Sequence, residues 1–381
     1  MKDLAQIRER IDRIDREISR LFLERMEVSA DVAEYKRATG KPIYDPLRER
    51  ANIAAASDRV PPELASYAAV LQSVLMDASR EAQHKALDRQ SDVSNAVQEA
   101  LAASPAYFPE RATVACQGVE GAYQQIACDR MFKRATITFV DSFGEVMAKV
   151  EQGDVEFGVL PIENSTAGSV NLTYDLLRRH NCHIVRSCRL RVDHNLLVRP
   201  GTRLEDVRDV YSHEQAIAQC ADYIARIPDC NVHVCENTAK AAMLVSKSDH
   251  SDVAAIASRS CAQIYGLELA DRAIQDSQSN YTRFVCLAKD LVIYPGADRT
   301  SLMVVTGHEP GALYNVLARF YALGINLLKL ESRPIPNRDF EFMFYFDIDC
   351  QVAAPEFRIL MNSLSDVCEE FRYLGSYTEV F

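Results

Sequence analysis

Leu4, Ile7, Ile11, Ile14, Ile18 and Leu21 repeat at alternating spacings of three and four, and the stripe resumes at Val28, Val32 and Tyr35. That period belongs to one amphipathic helix. From Leu4 to Arg37 it would run roughly 50 Å, a length that needs partners from end to end. Arg25 interrupts the stripe, and Lys36, eleven residues on, returns to the same face about three turns later. A guanidinium on an apolar face needs an anion, either a bound ligand or an internal Glu. Gly40 and Pro42 end the helix. Asp45-Pro46 then reads as an N-cap and first helical residue, opening a second helix that carries Arg48 and Glu49 and stops at Pro61-Pro62. A third helix reaches about Arg89, with Ser79 and Gln83 one turn apart on a common face.

Arg8, Arg25, Lys36, Asp45, Arg48, Glu49, Ser79 and Gln83 match, in order and spacing, the all-helical class of chorismate mutase, and residues 1–89 resemble that unit. The resemblance implies a pericyclic rearrangement of chorismate to prephenate, needing a folded substrate and stabilised charge but no nucleophile. It assigns Arg8, Arg25 and Arg48 to the carboxylates, Lys36 and Gln83 to the ether oxygen, and Asp45 and Glu49 to the ring hydroxyl, with Ser79 also binding substrate. Arg8 and Arg25 lie roughly 25 Å apart along one helix, too far to grip one small diacid. The resemblance accordingly implies an intertwined homodimer, or a higher homo-oligomer, in which Arg8 comes from the second chain.

A polar segment over residues 90–111, with Ser91, Ser94, Asn95 and Ser104-Pro105, reads as a linker containing a short helical stretch. Beyond it, runs such as TVACQG, TITFV, FGVLPI, DVYS, NVHVCE and VAAIAS alternate with helical stretches, the pattern of α/β layers on mostly parallel sheets. In FGVLPIENSTAGSV the apolar run breaks at Pro161, which suggests a strand handing a polar loop to a helix start, or an ordinary capped turn. GVLPIENSTAGSV, YSHEQAIAQC and NYTRFVCL look like the prephenate dehydratase domain, over residues 112–290. The resemblance implies two lobes like those of a periplasmic solute-binding protein, with the active site between them. It implies Thr282 as the main catalytic residue and Asn164, Ser165, Ser212 and Gln219 on the substrate. Because a threonine hydroxyl is a poor acid by itself, Thr282 is expected to hydrogen-bond the departing oxygen while Glu163, Asn164 or water supplies the proton. Arg283 either binds a carboxylate or serves as a structural ion-pair partner. His213 reads as a loop histidine satisfied by backbone.

Residues 298–381 read strand, helix, strand, strand, helix, strand, an α+β ferredoxin-like order. GALYNVL and ESRP resemble the phenylalanine-binding motifs of the ACT regulatory domain. By that resemblance Gly311, Ala312, Leu313, Glu331, Ser332 and Arg333 would bind L-phenylalanine as an allosteric inhibitor, the alternative being a purely structural dimerisation module.

The multidomain chain has 381 residues and a net charge of -11, which argues against nonspecific nucleic-acid binding. It shows no signal-peptide core and no run of about eighteen apolar residues, so a cytoplasmic protein without membrane contact is expected. Eleven cysteines without a C-x-x-C pair fit reduced thiols better than a zinc site. No metal or cofactor is expected, and no G-x-G-x-x-G follows a strand to hold a nicotinamide. The expected function is the two-step conversion of chorismate to phenylpyruvate in phenylalanine biosynthesis. The alternative is a non-catalytic amino-acid sensor.

Overall fold

The computed structural model describes residues 3–87, 90–277, 279–336, 338 and 341–381. The expected helix end at Arg89 lies outside them. Helix α1 spans Leu4–Thr39, capped by the Asp3 carboxylate and closed by Gly40 in the left-handed region. Asp45 caps α2 (Pro46–Asp58) by accepting from the Arg48 amide, and α3 (Ala65–Leu87) packs against both earlier helices. Only Ser29 and Ala33 of α1 are buried. Leu4, Ile7, Ile11, Ile14, Ile18 and Leu21 stay 40–59% exposed, so a single chain leaves the seam uncovered.

The expected linker is docked rather than loose. Its helix, Asp92–Ala102, sets Val97 into the C-terminal core with Val93 and Leu101 beside it, a stripe at intervals of four residues. The Ser91 amide also donates to Asn362 Oδ1 at 2.9 Å.

Next come two lobes. The first is a seven-stranded sheet containing Arg111–Gln117, Arg134–Val140, Phe157–Asn164, His183–Arg191 and Tyr281–Ala288. The second is a five-stranded sheet containing Asn195–Val198, Asp209–Ser212, Asn231–Val234, Val253–Ala257 and Glu268–Asp271. Neither is as parallel as the alternation suggests. Tyr281–Ala288 runs antiparallel to both its neighbours, because the chain leaves the first lobe along His183–Arg191 and re-enters beside it from the same end.

The strand Phe157–Asn164 also runs straight through Pro161. Pro161 faces Phe284 where the register shifts between Arg283 and Phe284, and that bulge accommodates a residue that cannot donate. Glu163 and Asn164 are therefore strand residues, and the helix begins only at Asn171.

The C-terminal sheet runs Asn326–Pro334, Phe342–Asp349, Arg299–Val305, Glu370–Tyr377 in spatial order, all antiparallel. Leu302, Val304, Phe346 and Ile348 pack under helices Ala312–Ala322 and Pro355–Val367. Met303, Val305, Tyr345, Leu374 and Tyr377 share a core with Leu160, Ile184 and Leu287 of the first lobe. Glu379–Val380 then pairs in parallel with His183–Arg191. The C-terminal unit is thus continuous with the first lobe, because both faces of its sheet are apolar and both require cover.

Gly375 holds this seam close: at φ 142° its backbone lies where an added Cβ would be 2.1 Å from the Ile184 carbonyl oxygen. Gly375→Ala is expected to pry the sheets apart and cost about 1–3 kcal/mol or more. Urea unfolding should show the loss as a lower midpoint.

Candidate functional site

A cavity of about 260 Å³ opens between the lobes. Pro161, Asn164, Thr282 and Phe284 line it from the first lobe, and His194, His213, Gln215, Gln219 and Asn237 from the second. Thr282 and Asn164 are register partners on adjacent strands. Asn164 Oδ1 accepts from the amides of Thr166 and Ala167 at 3.0 and 2.8 Å, which fixes the orientation of the carboxamide. Its Nδ2 then donates to Thr282 Oγ1 at 2.9 Å and to Asn280 Oδ1 at 2.8 Å. Thr282 oxygen is thus an acceptor within the protein, and its own hydroxyl proton is left for a ligand.

The network crosses the cleft. Asn280 Nδ2 donates to Gln219 Oε1 at 2.8 Å, and His194 Nε2 stands 2.9 Å from the same oxygen. With Gln219 accepting, His194 carries its proton on Nε2. Burial pushes the imidazole below its ordinary value, against the opposing effect of Gln219, so the ring is neutral at pH 7. Sequence reading did not single out His194. Its only signal was its place in Val192-Asp193-His194, the turn where the chain crosses between lobes.

The loop Gly118–Tyr123 closes one end of the cavity. The Gly121 carbonyl accepts from Ser258 Oγ at 3.0 Å, Tyr265 donates to the Glu120 carbonyl, and Tyr123 OH reaches the Asp193 carbonyl at 2.6 Å. Gly121, at φ 87°, lies where a Cβ would sit 2.8 Å from Cys261 Sγ.

Other expected residues lie elsewhere. Ser212 is fully buried, with Oγ donating to the Ile256 carbonyl at 2.6 Å. Ser165 latches the returning crossover, donating to Ser279 O and accepting from the Tyr281 amide. His213 caps the short helix after it by accepting from the Gln215 amide, though it also lines the cavity. Strand alternation turns Glu163 and Arg283 to the opposite face from Asn164 and Thr282. Arg283, 4% exposed, pairs there with Asp347 and, at 3.4 Å, with Glu163. Lys329 Nζ is 2.5 Å from Glu163, and Ser301 donates to Asp347 at 2.5 Å. Burial works against the Arg283 charge, but Asp347, Tyr377 and Glu163 outweigh it and hold the guanidinium above its ordinary value.

A second polar site lies among the helices. Segments of α1 and α3 run side by side: Arg25 donates to the Leu75 carbonyl and Ser79 Oγ, and Arg37 to the Ala86 carbonyl. Among the described residues Arg25 has no carboxylate partner. Lys36 donates to the Ile43 carbonyl at 2.5 Å, its charge opposed by burial and favoured by Asp45 and Glu49. Gln83 is buried with Oε1 lacking a partner. Asp45 and Arg48 are exposed at the start of α2, and Arg8 is exposed some five turns from Arg25.

A second cavity, about 360 Å³, is lined by Thr306, Glu309, Gly311, Ala312, Leu313, Tyr314, Phe342 and Phe344. Glu331 and Arg333 lie outside it, bonded to Ser169 and Asp175 of the first lobe, and Ser332 is exposed between them.

Comparison with known proteins adds to this geometry. The family model for prephenate dehydratase matches residues 114–291, and that for chorismate mutase type II matches residues 7–84. The bifunctional chorismate mutase/prephenate dehydratase of Enterobacter agglomerans is 30% identical over 385 residues, covering 98% of this chain and 95% of that protein. The chloroplastic arogenate dehydratase/prephenate dehydratase 2 of Arabidopsis thaliana is 38% identical over 279 residues, 70% of this chain and 73% of that one. The crystal structure of prephenate dehydratase from Arthrobacter aurescens in complex with L-Phe superposes with a TM-score of 0.64 at 27% identity, covering 70% of this chain and 89% of that chain.

Arg283→Met would leave Asp347 buried without its main partner, at an expected cost of about 3–5 kcal/mol in chemical unfolding. Adding Asp347→Leu should restore much of that loss. A double variant no more stable than the single one would show that Asp347 does not depend on Arg283.

Proposed function

Because this chain belongs to the family of bifunctional chorismate mutase/prephenate dehydratases, we infer that it rearranges chorismate to prephenate and then converts prephenate to phenylpyruvate, with feedback inhibition by L-phenylalanine. The observation that carries the reading is a pair of separate polar sites on one chain, Arg25 with Lys36 among helices and Thr282 with Asn164 in a cleft.

In the mutase step, Arg25 grips a carboxylate while Lys36 and Gln83 donate to the ether oxygen as negative charge gathers there. Arg25 suits this role because the fold gives it neutral partners only. Asp45 and Glu49 hold the ring hydroxyl, and Arg48 assists at the carboxylates. Arg8 reaches the pocket from a second copy of the chain. The uncovered seam of α1 supports such a homodimer, since each large apolar side chain it buries is worth about 1.5–3 kcal/mol.

In the dehydratase step the bond from ring carbon to carboxylate breaks, and its electron pair flows into the ring and expels hydroxide as aromaticity forms. Thr282, its oxygen already accepting from Asn164, donates a hydrogen bond to the departing oxygen, and a proton delivered by solvent water completes the water that leaves. Gln219 and His194 orient the substrate from the second lobe. Glu163 and Arg283 support the strand from behind.

We assign residues 1–89 to the mutase, 112–290 to the dehydratase and 298–381 to an ACT regulatory domain whose phenylalanine pocket is the cavity at Gly311. Among the described residues no helix is long and apolar enough to cross a membrane. Eleven unpaired cysteines suit the cytoplasm, where we place both reactions.

Purified protein given chorismate alone should yield prephenate and then phenylpyruvate; formation of neither would favour a sensor. Thr282→Val should lower dehydratase turnover by about 100-fold or more while sparing the mutase. Mixing an Arg8→Ala variant with an Arg25→Ala variant, each inactive as a mutase, should restore about a quarter of wild-type activity through mixed dimers. No recovery on mixing would show that the pocket is not shared.

A further inference from the structure

Glu49 does not stand alone in the helical site. Its carboxylate is bonded by Arg80 of α3, whose other nitrogen bonds Asp77, and the same Asp77 oxygen accepts from Arg319 Nη2 at 2.7 Å. Arg319 belongs to the C-terminal helix Ala312–Ala322, where Ser363 Oγ, at 2.6 Å, and the Asn315 carbonyl fix it in place. Arg80 and Arg319 are 7% and 6% exposed. Two nearly buried guanidiniums and two carboxylates thus alternate in one line from the mutase helices into another domain. Removing an inner member, Arg80 or Asp77, would leave an end of the line without its counter-charge, and removing Arg319 would leave Asp77 to Arg80 alone.

A cavity of about 120 Å³ lies along this line, with Glu49, Asp77 and Arg80 on the helical side and Thr306, Glu309 and Arg319 on the other. His84 paired with Asp366 at 2.5 Å straps α3 to the helix Pro355–Val367 beside it. The C-terminal domain is therefore built against the wall of the helical site that carries Glu49.

We propose that the C-terminal domain completes the mutase pocket: Arg319, acting through Asp77 and Arg80, is a positioning residue for Glu49, which receives the substrate's ring hydroxyl. The proposal rests on the mutase reading above. Nothing in this arrangement reaches the bond that breaks, so its loss weakens the grip on substrate and transition state alike, which raises KM and spares kcat. The relay also has a direction. Arg319 holds Asp77, Asp77 shares the Arg80 charge, and Arg80 is left to draw Glu49 back from Lys36, which lies near enough to feel both Glu49 and Arg80.

The test is steady-state mutase kinetics of full-length Arg319→Gln and Asp77→Asn, with dehydratase turnover of prephenate in the same samples as the folding control. Expected is a KM for chorismate raised about 10-fold with kcat within about twofold and dehydratase kinetics unchanged. Arg319→Lys, which keeps the charge, should recover part of the KM. In a Glu49→Gln background, Arg319→Gln should raise KM no further, because the group it positions has lost its charge. Wild-type KM in both single variants, or an undiminished effect in the Glu49→Gln background, would overturn the proposal. Wild-type protein without mutase turnover would instead overturn the mutase reading on which it depends.

Discussion

Arg283 is the charge on which the two-lobed half is organised. It sits nearly buried between the strand that carries Thr282 and the sheet that carries Asp347, and its pairing there leaves the cleft to the other face of the same strand. A strand offers alternate side chains to opposite sides. Fixing Arg283 and Glu163 on one side therefore fixes Thr282 and Asn164 on the other. The cost of burying this guanidinium is offset only while Asp347, Glu163 and Lys329 stay in register, so the cleft inherits the rigidity of a domain contact it does not touch.

The two sites solve different electrostatic problems. The cleft network, Asn164, Asn280, Gln219, Thr282 and neutral His194, carries no formal charge. It is made of fixed dipoles, which suit a reaction where the ring itself supplies the driving force and the protein orients leaving groups. The helical site is made of cations whose local partners are carbonyls and hydroxyls, so their charge remains available to a diacid. An acidic protein can bind anions in this way because position outweighs total charge.

Much of this was legible in the residues. The period of α1, the Asp45-Pro46 cap and the C-terminal alternation each depend on neighbours within one element, and each element formed where expected. What escaped depended on distant partners. Pro161 looked like the end of a strand because the bulge that accommodates it exists only in the pairing with Arg283 and Phe284, more than a hundred residues away. Glu163 looked like a cleft residue because its side of the strand follows from that same pairing. His194 was passed over because its hydrogen-bond partner, Gln219, lies in another element. The short helix of the linker was expected, but not its docking on the C-terminal core, although Val93, Val97 and Leu101 mark the face that docks.

The open seam of α1 sets the two halves apart when protein is scarce. The lobes and the C-terminal unit bury their cores within one chain, so their folding is a property of one molecule. With the seam closed against a second copy as proposed, the helical unit draws part of its stability from mass action. Dilution would then silence rearrangement before dehydration.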